Sequence, residues 1–406
     1  LVGDTSDRAW ESTAPERTLP RGFNPGRRKR VMKSVVVVGA GHIGSTIAAL
    51  LARTGDYGVT LADHCAERLA QLDRRRGVDH LVLDVADTAA LRAALDGRHA
   101  VISAAPYQLT VAIARAARDA SVHYLDLTED VASTRQVRAL AAGAPAALIP
   151  QCGLAPGFIS IVASDLAERF DVLHDLRLRV GALPRYPTNA LNYNLTWSTD
   201  GVINEYCEPC EAIVEGELRQ TMALEGRETF VLDGVTYEAF NTSGGLGGLA
   251  ESLAGRIRNL DYRTIRYPGH AAIMKTLLDD LGLRHRRHLL KDILEQAVPT
   301  TLQDVVIVFV TACGLKAGRL VQETYANRIT AGEIDGEPLS AIQITTASAA
   351  CAVLDLLTQG ALPTAGYVRQ EDIPLRAFLA NRFGHAYAGA PAAAPAAQAL
   401  GLEAAA

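Results

Sequence analysis

Cysteine, methionine and tryptophan are scarce in this chain: six, three and two among 406 residues, with aromatics at 5%. Six dispersed cysteines do not make the framework of a small disulfide-stapled domain. Only Cys207 and Cys210 form a Cys-x-x-Cys pair, in YCEPCE. Neither a strand leading into a helix N-terminus nor a second ligand pair accompanies it, so no redox or metal centre is expected there. A strong excess of one charge is also missing. With 40 basic and 45 acidic residues the net charge is −5, which gives no global attraction to nucleic acid or a membrane surface; neither partner is expected. Long apolar runs are missing too, because Asp, Arg, Gly or His interrupts each candidate span. The first 30 residues hold no apolar segment of a secretory signal, so the expected location is cytoplasmic. What remains is an ordinary globular composition, 49% hydrophobic and 21% charged, in a chain long enough for two domains.

Residues 1–31 are polar, rich in Arg and Pro and without apolar period, and read as a disordered extension. Residues 388–406 are Ala/Pro-rich and read as a disordered tail. In LRHRRHLL, His285 and His288 share a helical face with arginines, the pattern of a solvated basic surface. Between the tails, strand-like runs at 34–38, 59–62, 80–83, 100–103, 124–127 and 147–150 alternate with helical stretches, as in an α/β doubly wound parallel sheet of Rossmann type. After CGLAPGFISIVASDLAERF the texture changes to DLRLRVGAL, NYNLTWS, EAIVEGEL, TFVLDGVTYEAF, QDVVIVFVTACG and GRLVQETYAN. Consecutive strands of this kind predict a second α+β domain on a largely antiparallel sheet. AIQITTASAACAVLDLLTQG then reads as a buried helix returning to the first lobe. The expected domains are 32–155 with about 341–387, and 156–340.

The stretch VVVVGAGHIGSTIAALLA places Gly-x-Gly-x-x-Gly between a buried strand and a helix, the context that gives the motif meaning. Gly39 allows the tight turn, Gly41 the approach of a pyrophosphate to backbone and Gly44 close helix packing, with the phosphates at the helix start near His42. Ile43 sits in the same turn, and His42 is a filler there rather than a catalyst. Asp63, at the end of the second strand, is placed to accept from the adenosine ribose hydroxyls and to repel a 2′-phosphate. NAD is therefore expected over NADP, with Arg68 the nearby cation that softens the preference. Asp84, after the third strand, is the candidate for the adenine edge. The loop SAAPYQ after the fourth strand would supply Ser103, Ala104 and Pro106 to the nicotinamide pocket and Tyr107 toward a substrate.

Four segments go further: SAAPYQLTVAIARAARDASVHYLDLTED, QCGLAPGFISIVASDLA, ALPRYPTNALNYNLTWSTDGVINEYCEPCEAIVEGE and IRYPGHAAIMKTLLDDLGL. Over about residues 33–367 the chain resembles the saccharopine dehydrogenase-like oxidoreductases, with the lysine 6-dehydrogenase branch nearest. The resemblance implies a bilobal enzyme, dimeric through its second domain, that moves a hydride between nicotinamide and a carbon bearing nitrogen. In that branch the reaction is NAD-dependent oxidative deamination of the L-lysine side-chain amine to a semialdehyde that cyclises to a piperideine carboxylate.

An ammonium must lose a proton before its carbon can lose hydride, so a base is needed. By loop position and resemblance the candidates are Asp126, Glu129, Cys152 and His270, with Asp126 the anchor for the amine and Cys152 or His270 in proton transfer. Arg266 offers a planar fork for the substrate carboxylate. Glu205 is the candidate partner of the α-ammonium, and Trp197 and Tyr206 of the aliphatic stem. Two alternatives remain open. One is a secondary-amine dehydrogenase of saccharopine or carboxyspermidine type, which needs several carboxylate partners from among Arg185, Arg263 and Arg266. The other is a dinucleotide-binding sensor without turnover. The glycine-rich NTSGGLGGLAESLAGRI reads either as a lid or as a closely packed loop.

Overall fold

Val35, Val36, Val37 and Val38 are all buried, as expected of a strand covered by helices on both faces. In this computed structural model, which describes residues 32–72, 77–334 and 336–388, they lie at the centre of a parallel sheet. Its strands are β1 (Lys33–Val38), β2 (Tyr57–Asp63), β3 (Val78–Val82), β4 (Ala100–Ser103), β5 (His123–Asp126) and β6 (Ala147–Ile149). Their spatial order is β6-β5-β4-β1-β2-β3. The order reverses between β1 and β4, and a switch point of this kind opens a crevice at the carboxyl ends of the strands.

The second sheet contains β7 (Val172–Pro184), β8 (Cys210–Val214), β9 (Glu217–Thr221), β10 (Glu228–Leu232), β11 (Val235–Asn241), β12 (Asn259–Arg266), β13 (Asp304–Lys316) and β14 (Arg319–Thr330). Its main path is β10-β11-β12-β7-β13-β14, with β8 joined to β12 and β9 to β8. Only β12 and β7 pair in parallel; the other pairs are antiparallel. A short hairpin, β15 (Gly332–Ile334) with β16 (Glu337–Leu339), leads into the helix Ala341–Thr358. That helix packs on His42–Arg53, the helix of the glycine motif, and β17 (Gly366–Tyr367) then joins the first sheet beside β6. The expected architecture, a Rossmann-type sheet, a second largely antiparallel sheet and a returning C-terminal helix, is the one present.

The expected buried helix is present, and one strand expectation needs amendment. The helix Ala341–Thr358 is long and apolar enough to cross a membrane by length and composition, yet nearly all its residues are buried in the protein interior. It is a core helix. The segment NYNLTWS is not a strand. The Asn189 side chain donates to Tyr193 O and accepts from Tyr193 N, and Asn192 adopts φ +50°. A side chain that takes up backbone groups in this way competes with ladder formation, and only an isolated bridge from Leu195 to Thr300 remains. The expectations for 1–31 and for the tail after Ala388 fall outside the described residues.

Candidate active site

The turn after β1 is shaped by contact on two of its glycines and by open space at the third. A Cβ on Gly39, whose φ is +105°, would stand 2.6 Å from Ala104 O, and one on Gly44 would stand 1.8 Å from Gly39 O. A Cβ on Gly41 meets nothing within 4 Å. The helix His42–Arg53 begins there with no side-chain cap, so its first N–H groups are left for an anion. At the end of β2, Asp63 accepts from Ala40 N at 2.8 Å and Cys65 N at 2.9 Å. Burial by itself would raise its pKa; these bonds, with Arg68 and His64, outweigh it and hold the carboxylate below its ordinary range. The buried Ser103 hydroxyl at the end of β4 has no hydrogen-bond partner among the described residues, whereas Asp84 is exposed and accepts from Ala86 N. An uncapped helix start, a bare Gly41 and an orphaned Ser103 hydroxyl fit a dinucleotide lying across these strand ends.

Beyond them lies a cavity of about 300 Å³ between the loops after β4, β5 and β6 and the inner face of the second sheet. Ile43, Ala104, Pro106 and Tyr107 form part of its wall on the dinucleotide side, and Glu129 reaches it from the loop after β5. Trp197 and Glu205 line it from around the helix Thr199–Cys207; Tyr262, Thr264 and Arg266 line it from alternate positions of β12. The glycine-rich loop packs closely against this region: a Cβ on Gly245 would stand 2.2 Å from the Tyr262 ring.

Arg266 is 3% exposed. Its Nε donates to Tyr206 Oη at 3.0 Å and its Nη1 to Ile265 O at 2.9 Å. The guanidinium stands 5.0 Å from the Tyr193 ring centre. No carboxylate pairs with it among the described residues, and no other cation lines the cavity. Glu205 is buried, and burial pushes its carboxyl up to about 8 although Arg266 pulls the other way. Burial likewise pushes Glu129 up to about 7, with Asp130 and Asp126 adding to the rise. A third acid, Asp200, is already paired with Lys291 at 2.6 Å. The cavity thus holds one buried cation and two carboxyl groups without ion-pair partners among the described residues.

Four of the residues named from sequence stand behind this wall. Asp126 accepts from Tyr124 Oη at 2.8 Å, Gln151 N at 2.8 Å and Thr128 N at 3.1 Å, so its carboxylate ties the loops after β5 and β6 together. Burial pushes it up to about 6 against those bonds. The Cys152 thiol is fully buried, donates to Ile149 O at 3.0 Å and is pushed well above its ordinary pKa by burial, the condition of an inert thiol. His270 and Tyr206 bond each other at 3.0 Å; burial and Arg266 push the imidazole down to about 3. Of the further arginines, Arg185 lies exposed over Tyr186, and Arg263 pairs with Asp261 and Glu228. Thr128, Tyr262 and Thr264 were not singled out from sequence. The alternation Tyr262, Thr264, Arg266 was a usable signal, since residues two apart in a strand share a face.

Residues 35–149 match the model of the saccharopine dehydrogenase NADP binding domain, and residues 153–382 that of the saccharopine dehydrogenase C-terminal domain. Alpha-aminoadipic semialdehyde synthase, mitochondrial, of Mus musculus is 24% identical over 196 residues, covering 46% of this chain and 21% of that protein. Its Bos taurus counterpart is 21% identical over 193 residues, with the same coverage. The matched stretch is about a fifth of the length of these relatives. Apo histidine-tagged saccharopine dehydrogenase (L-Glu forming) from Saccharomyces cerevisiae shares the fold, with a TM-score of 0.68 at 16% identity over 84% of this chain and 94% of that one.

Proposed function

Because the chain belongs to the saccharopine dehydrogenase family, NAD(P)-dependent dehydrogenases of amine and secondary-amine donors, we propose that it oxidatively deaminates the side-chain amine of a diamino acid, with L-lysine as lead substrate and NAD as the preferred cofactor. The observation that carries this reading is the charge inventory of the cavity: one buried guanidinium, the buried Glu205 carboxyl and the half-buried Glu129 carboxyl. A diamino acid brings one carboxylate and two ammonium groups, the complement of that set. Saccharopine brings three carboxylates, of which a single Arg266 can match one; the others would meet Glu129 and Glu205, and a buried like-charge contact is costly. The aldehyde in the name of the mammalian relatives, alpha-aminoadipic semialdehyde, is the one that oxidation of the lysine side chain yields.

The roles follow from position. Arg266 receives the α-carboxylate through its free guanidinium edge. Glu205 lies in the field of Arg266 and so suits the α-ammonium, which shares a carbon with that carboxylate. Glu129 lies on the loop nearer the dinucleotide and takes the proton from the side-chain ammonium. Its raised pKa suits an acceptor working at neutral to alkaline pH. Trp197 and Tyr107 enclose the apolar stem. A bound nicotinamide supplies the hydride acceptor. The amine-bearing carbon loses hydride to give an imine, water adds, and the C–N bond breaks, so that ammonium plus one further proton leave beside the aldehyde. Asp63 supports NAD, since a 2′-phosphate would sit against a carboxylate held ionised.

The test is a pair of variants. Glu129→Gln is expected to lower kcat roughly 10²- to 10⁴-fold, the range for loss of a general base. Glu205→Gln is expected to act mainly on KM. Equal kinetics for wild type and Glu129→Gln would remove that residue from proton transfer.

A further inference from the structure

His270, Tyr206 and Arg266 form a buried array whose direction is fixed by chemistry. His270 Nδ1 lies 2.9 Å from Leu191 O, which only accepts, so Nδ1 carries the proton. In the neutral ring Nε2 is then an acceptor, and the Tyr206 hydroxyl donates to it at 3.0 Å. With its proton committed there, Tyr206 Oη presents lone pairs to Arg266 Nε–H at 3.0 Å. The imidazole is also held by its neighbours: the Phe240 ring stacks on it at an interplanar angle of 9°, and Tyr193 meets it edge-on at 5.3 Å. All three residues of the array are at most 3% exposed, and neither His270 nor Tyr206 lines the cavity.

We propose that His270 is a positioning residue: acting through Tyr206, it sets the plane of the Arg266 guanidinium and so the grip on the substrate's carboxylate, and it carries no proton in the reaction. The inference rests on the assignment of Arg266 to that carboxylate. A forked donor discriminates by geometry as much as by charge, and a buried arginine on a flexible stem keeps its geometry only if its inner edge is fixed. Tyr206 holds Nε and Ile265 O takes one Nη1–H, leaving the Nη2 hydrogens and the second Nη1–H for the ligand. Burial beside Arg266 keeps the ring neutral, in line with an acceptor at Nε2.

The experiment uses the full chain with NAD and compares L-lysine with 1,5-diaminopentane, which keeps the amine but lacks the carboxylate. In His270→Gln and in Tyr206→Phe the KM for L-lysine is expected to rise roughly ten- to a hundredfold, the size of a hydrogen bond to a charged group. The acid limb of the kcat profile stays in place, and the penalty is confined to the substrate that carries the carboxylate. A large fall in kcat with loss of that limb would make His270 a proton carrier, and equal losses on both substrates would make the array merely structural; either overturns the proposal. Nitrogen NMR gives a readout independent of turnover. An imidazole protonated at Nδ1 that does not titrate near neutral pH is expected, absent in His270→Gln, with the Arg266 Nε–H resonance displaced in that variant. If wild-type enzyme ignores L-lysine, the substrate reading falls while the array is judged by this spectrum, and a titrating or Nε2-protonated ring overturns it.

Discussion

Asp63 shows how a single residue was legible in the sequence and what the fold adds. Its place about twenty residues after the glycine turn follows from chain geometry alone; its bonds to Ala40 and Cys65, which keep it ionised, do not. Asp63→Ala is expected to narrow the proposed preference for NAD over NADP, measured as the ratio of kcat/KM values. An unchanged ratio would put cofactor choice elsewhere. Asp126, Cys152 and His270 illustrate the opposite case. Their loops do reach the strand ends, but which way a side chain faces is decided in good part by partners distant in sequence: Gln151 for Asp126, Gln370 for Cys152, Leu191 and Tyr206 for His270. No local pattern carries that information.

Among the elements, the helix Ala341–Thr358 links cavity and core, because Ile342 and Thr346 line the cavity while the rest packs inside the protein. Its first turn is fastened twice. Ser340 and Gln343 form a capping box, and the buried Asp304 on β13 accepts from Ala341 N and Ile342 N. Asp304→Ala is expected to cost about 1–2 kcal/mol in denaturant unfolding, typical of a lost cap, and to raise the KM of the substrate; a stable variant with unchanged KM would show that this helix does not position the wall. The helix itself was visible as an apolar run, but its second fastening was not, since Asp304 lies 37 residues away. On β12, by contrast, simple alternation would have sufficed to group Tyr262 and Thr264 with Arg266, a signal the sequence reading did not use.

For the molecule as a whole, strand and helix periodicities carried the two-sheet architecture, because each strand reports its own burial. The cavity's charge balance could not be read in this way: Glu129, Glu205 and Arg266 come from three separate segments, and only folding decides that Arg263 and Arg185 stay out. That balance has a consequence for stability. Glu129 and Glu205 have folded pKa values raised to about 7 and 8. Such groups bind protons more tightly when folded, so their contribution is complete below the ordinary carboxyl range and lost as pH rises through those values. Without substrate, Tm is expected to fall from about pH 5 to about pH 8, and less steeply in the double variant Glu129→Gln/Glu205→Gln. An identical slope in both proteins would mean that these carboxyls ionise freely.

On the proposed reading the cavity is built for one carboxylate and two amines. Nicotinamide reduction followed spectrophotometrically at alkaline pH, with L-lysine and saccharopine each offered with NAD and NADP, tests it most directly. Turnover of L-lysine with NAD and little or none of saccharopine is expected. Turnover of saccharopine with silence on L-lysine would contradict it.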